Sequence, residues 1–174
     1  ILLLSSNLKV IGRAGIGVDN IDIDYATSKG IIVMNTPHGN SITTAEHTIA
    51  MIMSLARQIP DANVSTKKGK WEKSKFVGTE ITGKKLGLIG CGNIGSIVVD
   101  RAKGLKMNVQ VYDPFLTDDK SKELGIEKVS FENLLGSSDI ISIHTPLTVS
   151  TRNIINSDNI YSIKKGAWII NCAR

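Results

Sequence analysis

The sequence predicts an α/β protein: a doubly wound parallel sheet, incomplete, preceded by the end of a second α/β domain. Two observations carry this. From Gly83 onward short apolar runs alternate with helical patterns, which is the signature of parallel strands joined by right-handed helical crossovers. An earlier strand, helix, strand unit stands apart from that alternation, separated from it by one long apolar helix.

In the first unit, "LKVIGRAG" and "GIIVMNTP" read as buried strands stopped by glycine and by Thr36-Pro37. Between them "DIDYATSKG" reads as a short helix with an Asp start and a Gly30 stop. After Pro37 the spacing of Thr43 and Glu46 suggests a capping box opening a helix that Pro60 ends. Ile42, Ala45, Ile49, Ile52, Ala56 and Ile59 form one stripe, widened by Met51 and Leu55. So apolar a surface must be covered on several sides, by core, by a second subunit, or by both.

Beyond Gly83, "KKLGLIG" reads as a strand, 93–103 as a helix, "NVQVYD" as a strand, 118–124 as a helix, "FENLLGSSD" as a short helix, and "DIISIHTP" and "AWIINCAR" as strands. In such sheets ligands lie beyond the carboxyl ends of the strands. Those ends carry Gly90-Cys91-Gly92-Asn93-Ile94-Gly95, Asp113-Pro114, His144-Thr145-Pro146 and Cys172-Ala173-Arg174.

A glycine pattern of this kind is weak alone. Here it follows a strand, opens a helix and precedes Asp113 at the next strand end, which is the dinucleotide fingerprint. Gly90 permits the tight turn, Gly92 admits a pyrophosphate to the backbone, and Gly95 lets the helix pack close, while the helix amino terminus faces the phosphate. Asp113 suits the adenosine ribose hydroxyls and repels a 2′-phosphate, so the pattern favours NAD over NADP.

The remaining candidates read as structural. His144 lacks a neighbouring carboxylate to orient it and is expected to line the cofactor cleft. His38 and His47 stand in a turn and an apolar helix, away from any general-base position. Cys91 and Cys172 have no metal-ligand spacing and no paired base, so they are expected as small fillers, with no metal site and no disulfide.

A formal net charge of +5 raises the question of polyanions, and most of the excess lies in "STKKGKWEKSKF". A solvated lysine-rich arm accounts for it, and no nucleic-acid partner is expected. No apolar run has the length of a membrane span, and a cytoplasmic setting is expected. The opening "ILLLSS", without Met, and the closing strand suggest the interior of a longer protein.

Taken in order, "GRAGIGVDNID", "NTPHGNS", "GKWEKSKFVGTEITGKKLGLIGCGNIG", "YDP", "HTPLT" and "KKGAWIINCAR" resemble the D-2-hydroxyacid dehydrogenases over nearly the whole chain. The resemblance implies that residues 1–37 end a flavodoxin-like substrate domain, and that 38–174 form a Rossmann-type NAD domain whose 42–59 helix makes a homodimer or homotetramer. It implies a small anionic 2-hydroxy or 2-keto acid as substrate. Arg13, Gly15, Gly17 and Asn40 would bind that acid, and Ile16 would face the nicotinamide end. Asn93 and Ile94 would cover the pyrophosphate, and Asp113 with Pro114, His144, Thr145, Pro146, Cys172 and Ala173 would line the cofactor. Asn93 stands where relatives often carry Arg; it keeps a donor but loses a charge, so weaker phosphate affinity is expected.

Arg174 is the catalytic candidate that the resemblance implies. A planar guanidinium can grip the carboxylate and C2 oxygen of a 2-hydroxy acid and polarise the developing carbonyl. The family's general base, a His paired with a Glu, follows the segment that "NCAR" opens, and no His of this sequence matches it. The 174 residues alone are therefore expected to turn over little or nothing. A corepressor-like use of the same fold as an NAD sensor is the alternative reading.

Overall fold

The computed structural model describes residues 2–37 and 39–173. The chain forms two compact units that part after Ser41, slightly beyond the expected boundary at Pro37.

The first unit contains β1 (Val10–Arg13), α1 (Ile23–Ser28) and β2 (Ile32–Asn35), with β1 and β2 paired in parallel. Asp22 starts α1 as expected, its carboxylate accepting the Tyr25 N–H at 2.9 Å. Ala26 and Ile31 are buried between helix and strands.

The second unit takes in α2 (Ser41–Arg57) from Ile42 onward, then α3 (Ile59–Lys67). Two expectations change here. Since α2 already begins at Ser41, Thr43 and Glu46 lie inside the helix, and no capping box forms. Pro60 does not end a helix but starts one: it sits in the first turn of α3, where its missing N–H has no intrahelical acceptor to lose. The break comes from Gln58, held in the left-handed region at φ 53° and ψ 39°. The first residues of the lysine-rich segment thereby become helix.

Gln58 yields a first prediction. A side chain in the left-handed region costs about 1–2 kcal/mol, and glycine loses part of that advantage to its extra unfolded-state freedom. Gln58→Gly is expected to stabilise the chain by about 0.5–1 kcal/mol, read as a raised urea midpoint at unchanged slope.

The sheet is formed by β3 (Lys85–Ile89), β4 (Asn108–Tyr112), β5 (Glu127–Lys128), β6 (Ile140–Ile143) and β7 (Trp168–Asn171). Their order is β5-β4-β3-β6-β7, all parallel. The crossover helices are α4 (Asn93–Gly104), α5 (Asp118–Leu124) and α6 (Phe131–Ser137). Thr117 and Ser130 cap α5 and α6 with their side chains, and Gly125 closes α5 in the left-handed region. The two-residue β5 has too short and polar a sequence to be read as a strand; pairing with β4 alone defines it.

Both faces of the sheet are covered, which is why its strands read as unbroken apolar runs. Leu86, Leu88, Val111, Ile140 and Ile170 pack on one face with Ala45, Ile52 and Ala56 of α2 and Val98, Val99 and Ala102 of α4. On the other, Ile89 and Ile141 meet Leu134 and Leu135 of α6. Gly87 leaves room for a polar bridge there: Gln110 Nε2 donates to Ser137 and Ser138 Oγ at 2.8 Å each, and a Cβ on Gly87 would lie 2.2 Å from Ser138 Oγ.

At the amino edge of the sheet, Asp139 ties three strands together. Its carboxylate accepts from Lys164 Nζ at 2.7 Å and from the Lys85 N–H at 2.8 Å, and its carbonyl accepts the Trp168 N–H at 3.0 Å. The Lys164 hydrogen bond, then the Lys85 amide, hold the Asp139 carboxyl below its ordinary range. A depressed folded-state pKa contributes stability that is present above the unfolded value and disappears as pH falls through the folded one. Asp139→Asn is therefore expected to cost about 1 kcal/mol at pH 7 and progressively less below about pH 4, measured as the gap between wild-type and variant denaturation midpoints.

Candidate active site: the cofactor crevice

The strand order reverses between β3 and β6; Gly90–Gly95 follow β3, Asp113 and Pro114 follow β4, His144–Pro146 follow β6, and Cys172 and Ala173 follow β7, while Ile16 belongs to the first unit. The polypeptide leaves β3 through Gly90, whose φ of 94° suits glycine, and a Cβ there would lie 2.9 Å from the His144 carbonyl oxygen. Gly95 packs still closer: its Cβ would stand 2.5 Å from the Gly90 carbonyl oxygen, so the first turn of α4 rests directly on the strand end. Gly92 is the opposite case. It caps α4 with no side-chain hydrogen bond, and a Cβ there would meet nothing within 4 Å. The open side of the turn thus faces the amides of the helix's first turn, which have no intrahelical acceptor. Asn93, exposed, and Ile94, half-buried, follow in that turn.

Asp113 reaches this turn from the end of β4. Its Oδ2 accepts the Cys91 N–H at 2.7 Å and its Oδ1 the Phe115 N–H at 2.8 Å. Each oxygen keeps a lone pair, enough for the two hydroxyls of a ribose. Pro114 beside it is exposed. An open glycine turn, free helix amides and a carboxylate one strand away fit a dinucleotide.

The His144 ring lies on Ser142, Nε2 to Oγ 2.8 Å, and burial lowers its pKa to about 4. It is neutral at physiological pH, its Nε2 paired with a hydroxyl and not with a carboxylate. Burial, then the nearby Asp113 charge, push the Cys91 thiol up to about 11. Cys91 and Cys172 both pack against the larger core cluster, as small fillers do. No group of ligands for a metal ion occurs among the described residues.

Beyond β6, Thr145 and Pro146 line a cavity of about 360 Å³ with Leu147, Thr151, Arg152 and Asn171. The loop around it is held by hydroxyls: Thr148 N–H donates to Thr151 Oγ1 at 2.8 Å, and Thr151 N–H returns to Thr148 Oγ1 at 3.2 Å. Sequence reading passed over this turn, although its Thr-x-x-Thr spacing is the signal of reciprocal capping. At the end of β7, Asn171 Oδ1 accepts the Ala173 N–H at 3.0 Å, next to Cys172. Arg174 lies outside the described residues, as does His38.

In the first unit, the glycine turn after β1 is stapled to the end of β2. Gly15 N–H donates to Thr36 Oγ1 at 2.8 Å, and Asn35 Nδ2 donates to the Ile16 carbonyl at 2.8 Å. The Gly15 donor is thus engaged within the unit, beside the half-buried Gly17. Arg13 Nε donates to Asn20 Oδ1 at 3.2 Å, and Asn40 is exposed just ahead of α2.

Residues 49–174 match the family described as D-isomer specific 2-hydroxyacid dehydrogenase, NAD binding domain. The D-3-phosphoglycerate dehydrogenase of Bacillus subtilis is 53% identical over 97% of this chain, which spans 32% of that relative. The human protein of the same name is 48% identical over 98% of this chain and 32% of its own length. Among solved structures, the D-lactate dehydrogenase of Aquifex aeolicus, complexed with NAD and lactic acid, superposes with a TM-score of 0.88 at 37% identity, covering 97% of this chain and 51% of that one. The chain thus spans about a third of the curated relatives it matches. The glycine turn, the Asp113 carboxylate beside it and the strand order agree with these matches: the chain belongs to the D-isomer specific 2-hydroxyacid dehydrogenase family and carries its NAD-binding domain.

Proposed function

We propose that this chain serves the NAD-dependent oxidation of D-3-phosphoglycerate to 3-phosphohydroxypyruvate, the first step of L-serine biosynthesis, in the cytoplasm. The observation that carries this is the identity to proteins named D-3-phosphoglycerate dehydrogenase, which extends over 97% of the chain in the Bacillus subtilis case and includes the first unit as well as the cofactor domain.

The division of labour follows from the residues. Bound NAD supplies a hydride acceptor at nicotinamide C4. Gly90, Gly92, Asn93, Ile94 and Gly95 hold the pyrophosphate, and Asp113 with Pro114 holds the adenosine ribose. His144, Thr145, Pro146, Cys172 and Ala173 shape the cleft and exclude water. Arg13, Gly17 and Asn40 bind the acid, with Ile16 serving the nicotinamide end, while Gly15, its N–H held by Thr36 Oγ1, shapes the turn rather than donating to substrate; this makes the first unit part of a substrate domain. Arg174 grips the substrate carboxylate and C2 oxygen. Of the described histidines, neither His144, neutral and hydrogen-bonded to Ser142, nor exposed His47 suits the general base, which supports the reading that the 174 residues by themselves turn over little or nothing. Met51 and Leu55, exposed side by side on α2, support assembly as a homodimer or homotetramer. No described helix is long and apolar enough to cross a membrane.

The test is a substrate panel on the protein purified from its natural source. NAD reduction with D-3-phosphoglycerate at a kcat/KM at least tenfold above D-lactate and D-glycerate supports the assignment. Preference for reducing glyoxylate or hydroxypyruvate would make it another 2-hydroxyacid dehydrogenase, and NADH binding without turnover of any of them would make it a sensor.

A further inference from the structure

The position of the Asp113 carboxylate goes beyond what holding a ribose requires. It joins β4 to the glycine turn of the neighbouring strand through the Cys91 N–H at 2.7 Å, and it closes its own loop through the Phe115 N–H at 2.8 Å. The Gly90 N–H, donated to the Tyr112 carbonyl at 2.9 Å, makes a second tie between the same two strand ends. Hydrogen bonds from backbone amides to an ionised carboxylate are among the strong ones, and this one lies in a half-buried place where water competes poorly.

We infer that Asp113 is a positioning residue for the phosphate turn: by holding the Cys91 amide it fixes the Gly90–Gly95 backbone in its phosphate-receiving shape before any nucleotide arrives. The inference rests on the dinucleotide reading of the crevice and adds a second role to a residue already assigned to the ribose. The turn needs such a tie. Gly90 and Gly92 give it freedom that an unliganded loop would use, and ordering it on binding would cost affinity. Cys91, between them, supplies the N–H through which that freedom is removed. Its thiol takes no part, since burial and the Asp113 charge keep it protonated.

Asp113→Asn separates the two roles. The amide is isosteric, but its single carbonyl oxygen cannot accept from both Cys91 and Phe115, so one tie is lost. The discriminating probe is inorganic pyrophosphate, which has no ribose, measured on the full chain by displacement of NADH fluorescence. If Asp113 serves the ribose alone, removing its negative charge leaves pyrophosphate binding unchanged or tighter. If it positions the turn, pyrophosphate binding weakens by about three- to tenfold in spite of the lost repulsion.

A further readout keeps the result independent of turnover. Amide hydrogen exchange in the Cys91 segment of the unliganded chain should quicken about tenfold in the variant. Tighter or unchanged pyrophosphate, or an unaltered Cys91 segment, overturns the inference. Should wild type bind neither NADH nor pyrophosphate, the dinucleotide reading falls and takes this one with it, a result told apart because it needs no variant.

Discussion

In the complete enzyme, Arg174→Ala is expected to lower kcat for D-3-phosphoglycerate, the proposed substrate, by about 100-fold or more, equivalent to ~3 kcal/mol of transition-state stabilisation, with NADH affinity little changed. β7 runs Trp168–Asn171 beside β6, so Cys172 and Ala173 follow at the carboxyl edge of the sheet, where the cofactor crevice opens. In the proposed role the Arg174 guanidinium offers two parallel N–H donors, one for the carboxylate of a 2-hydroxy acid and one for the oxygen that becomes a carbonyl as hydride leaves C2. The second interaction strengthens as the reaction proceeds, and only such interactions raise kcat. Arg174→Lys keeps the charge without the fork and should restore little. The measurement is steady-state kinetics beside NADH titration; near-normal kcat in the alanine variant would falsify the role.

Gly95→Ala should be the most damaging single-methyl change. Its Cβ would lie 2.5 Å from the Gly90 carbonyl oxygen, a backbone atom with no rotamer through which to escape. Either α4 lifts from the end of β3 or the glycine turn deforms, and overpacking of this kind costs about 1–3 kcal/mol. Both responses move the helix amides from the place where the pyrophosphate would sit. Thermal melting should therefore drop by several degrees, and NADH affinity by about tenfold or more. Gly92→Ala is the internal comparison. That Cβ enters open space, so stability should hold while only ligand approach suffers. Equal melting temperatures for Gly95→Ala and wild type would show that the close packing does not constrain the turn.

The parts of this fold that were legible in the sequence are those in which local pattern and tertiary role coincide. Leu86, Leu88, Ile89, Ile140 and Ile141 are apolar because both faces of their strands are covered, and the glycine turn announces itself because only glycine suits such contacts. Where a residue's role depends on something distant, the reading failed. Pro60 was taken as a stop because nothing local shows that Gln58 turns the backbone left-handed and lets a new helix start. β5 exists only through its partner β4. At the site, the place of Asp113 beside the glycine turn was legible from its spacing, but its bond to Cys91 was not, since that depends on how two strand ends lie side by side. The Thr148 and Thr151 turn was local and readable, and was passed over beside the stronger His144-Thr145-Pro146 signal.

The strand order also says something about time. β3, β4 and β5 are successive along the polypeptide and successive in the sheet, so their ladders close over short loops, Leu86 meeting Val109 and Val111 meeting Lys128. The pairing of Leu86 with Ile140 must span that whole half-sheet first. Loop-closure entropy rises with length, and non-local pairings are the slower to form. In refolding, then, the half that bears the glycine turn and Asp113 should assemble early, with β6 and β7 docking onto a finished edge. The seam zipped last is the one along which the crevice opens.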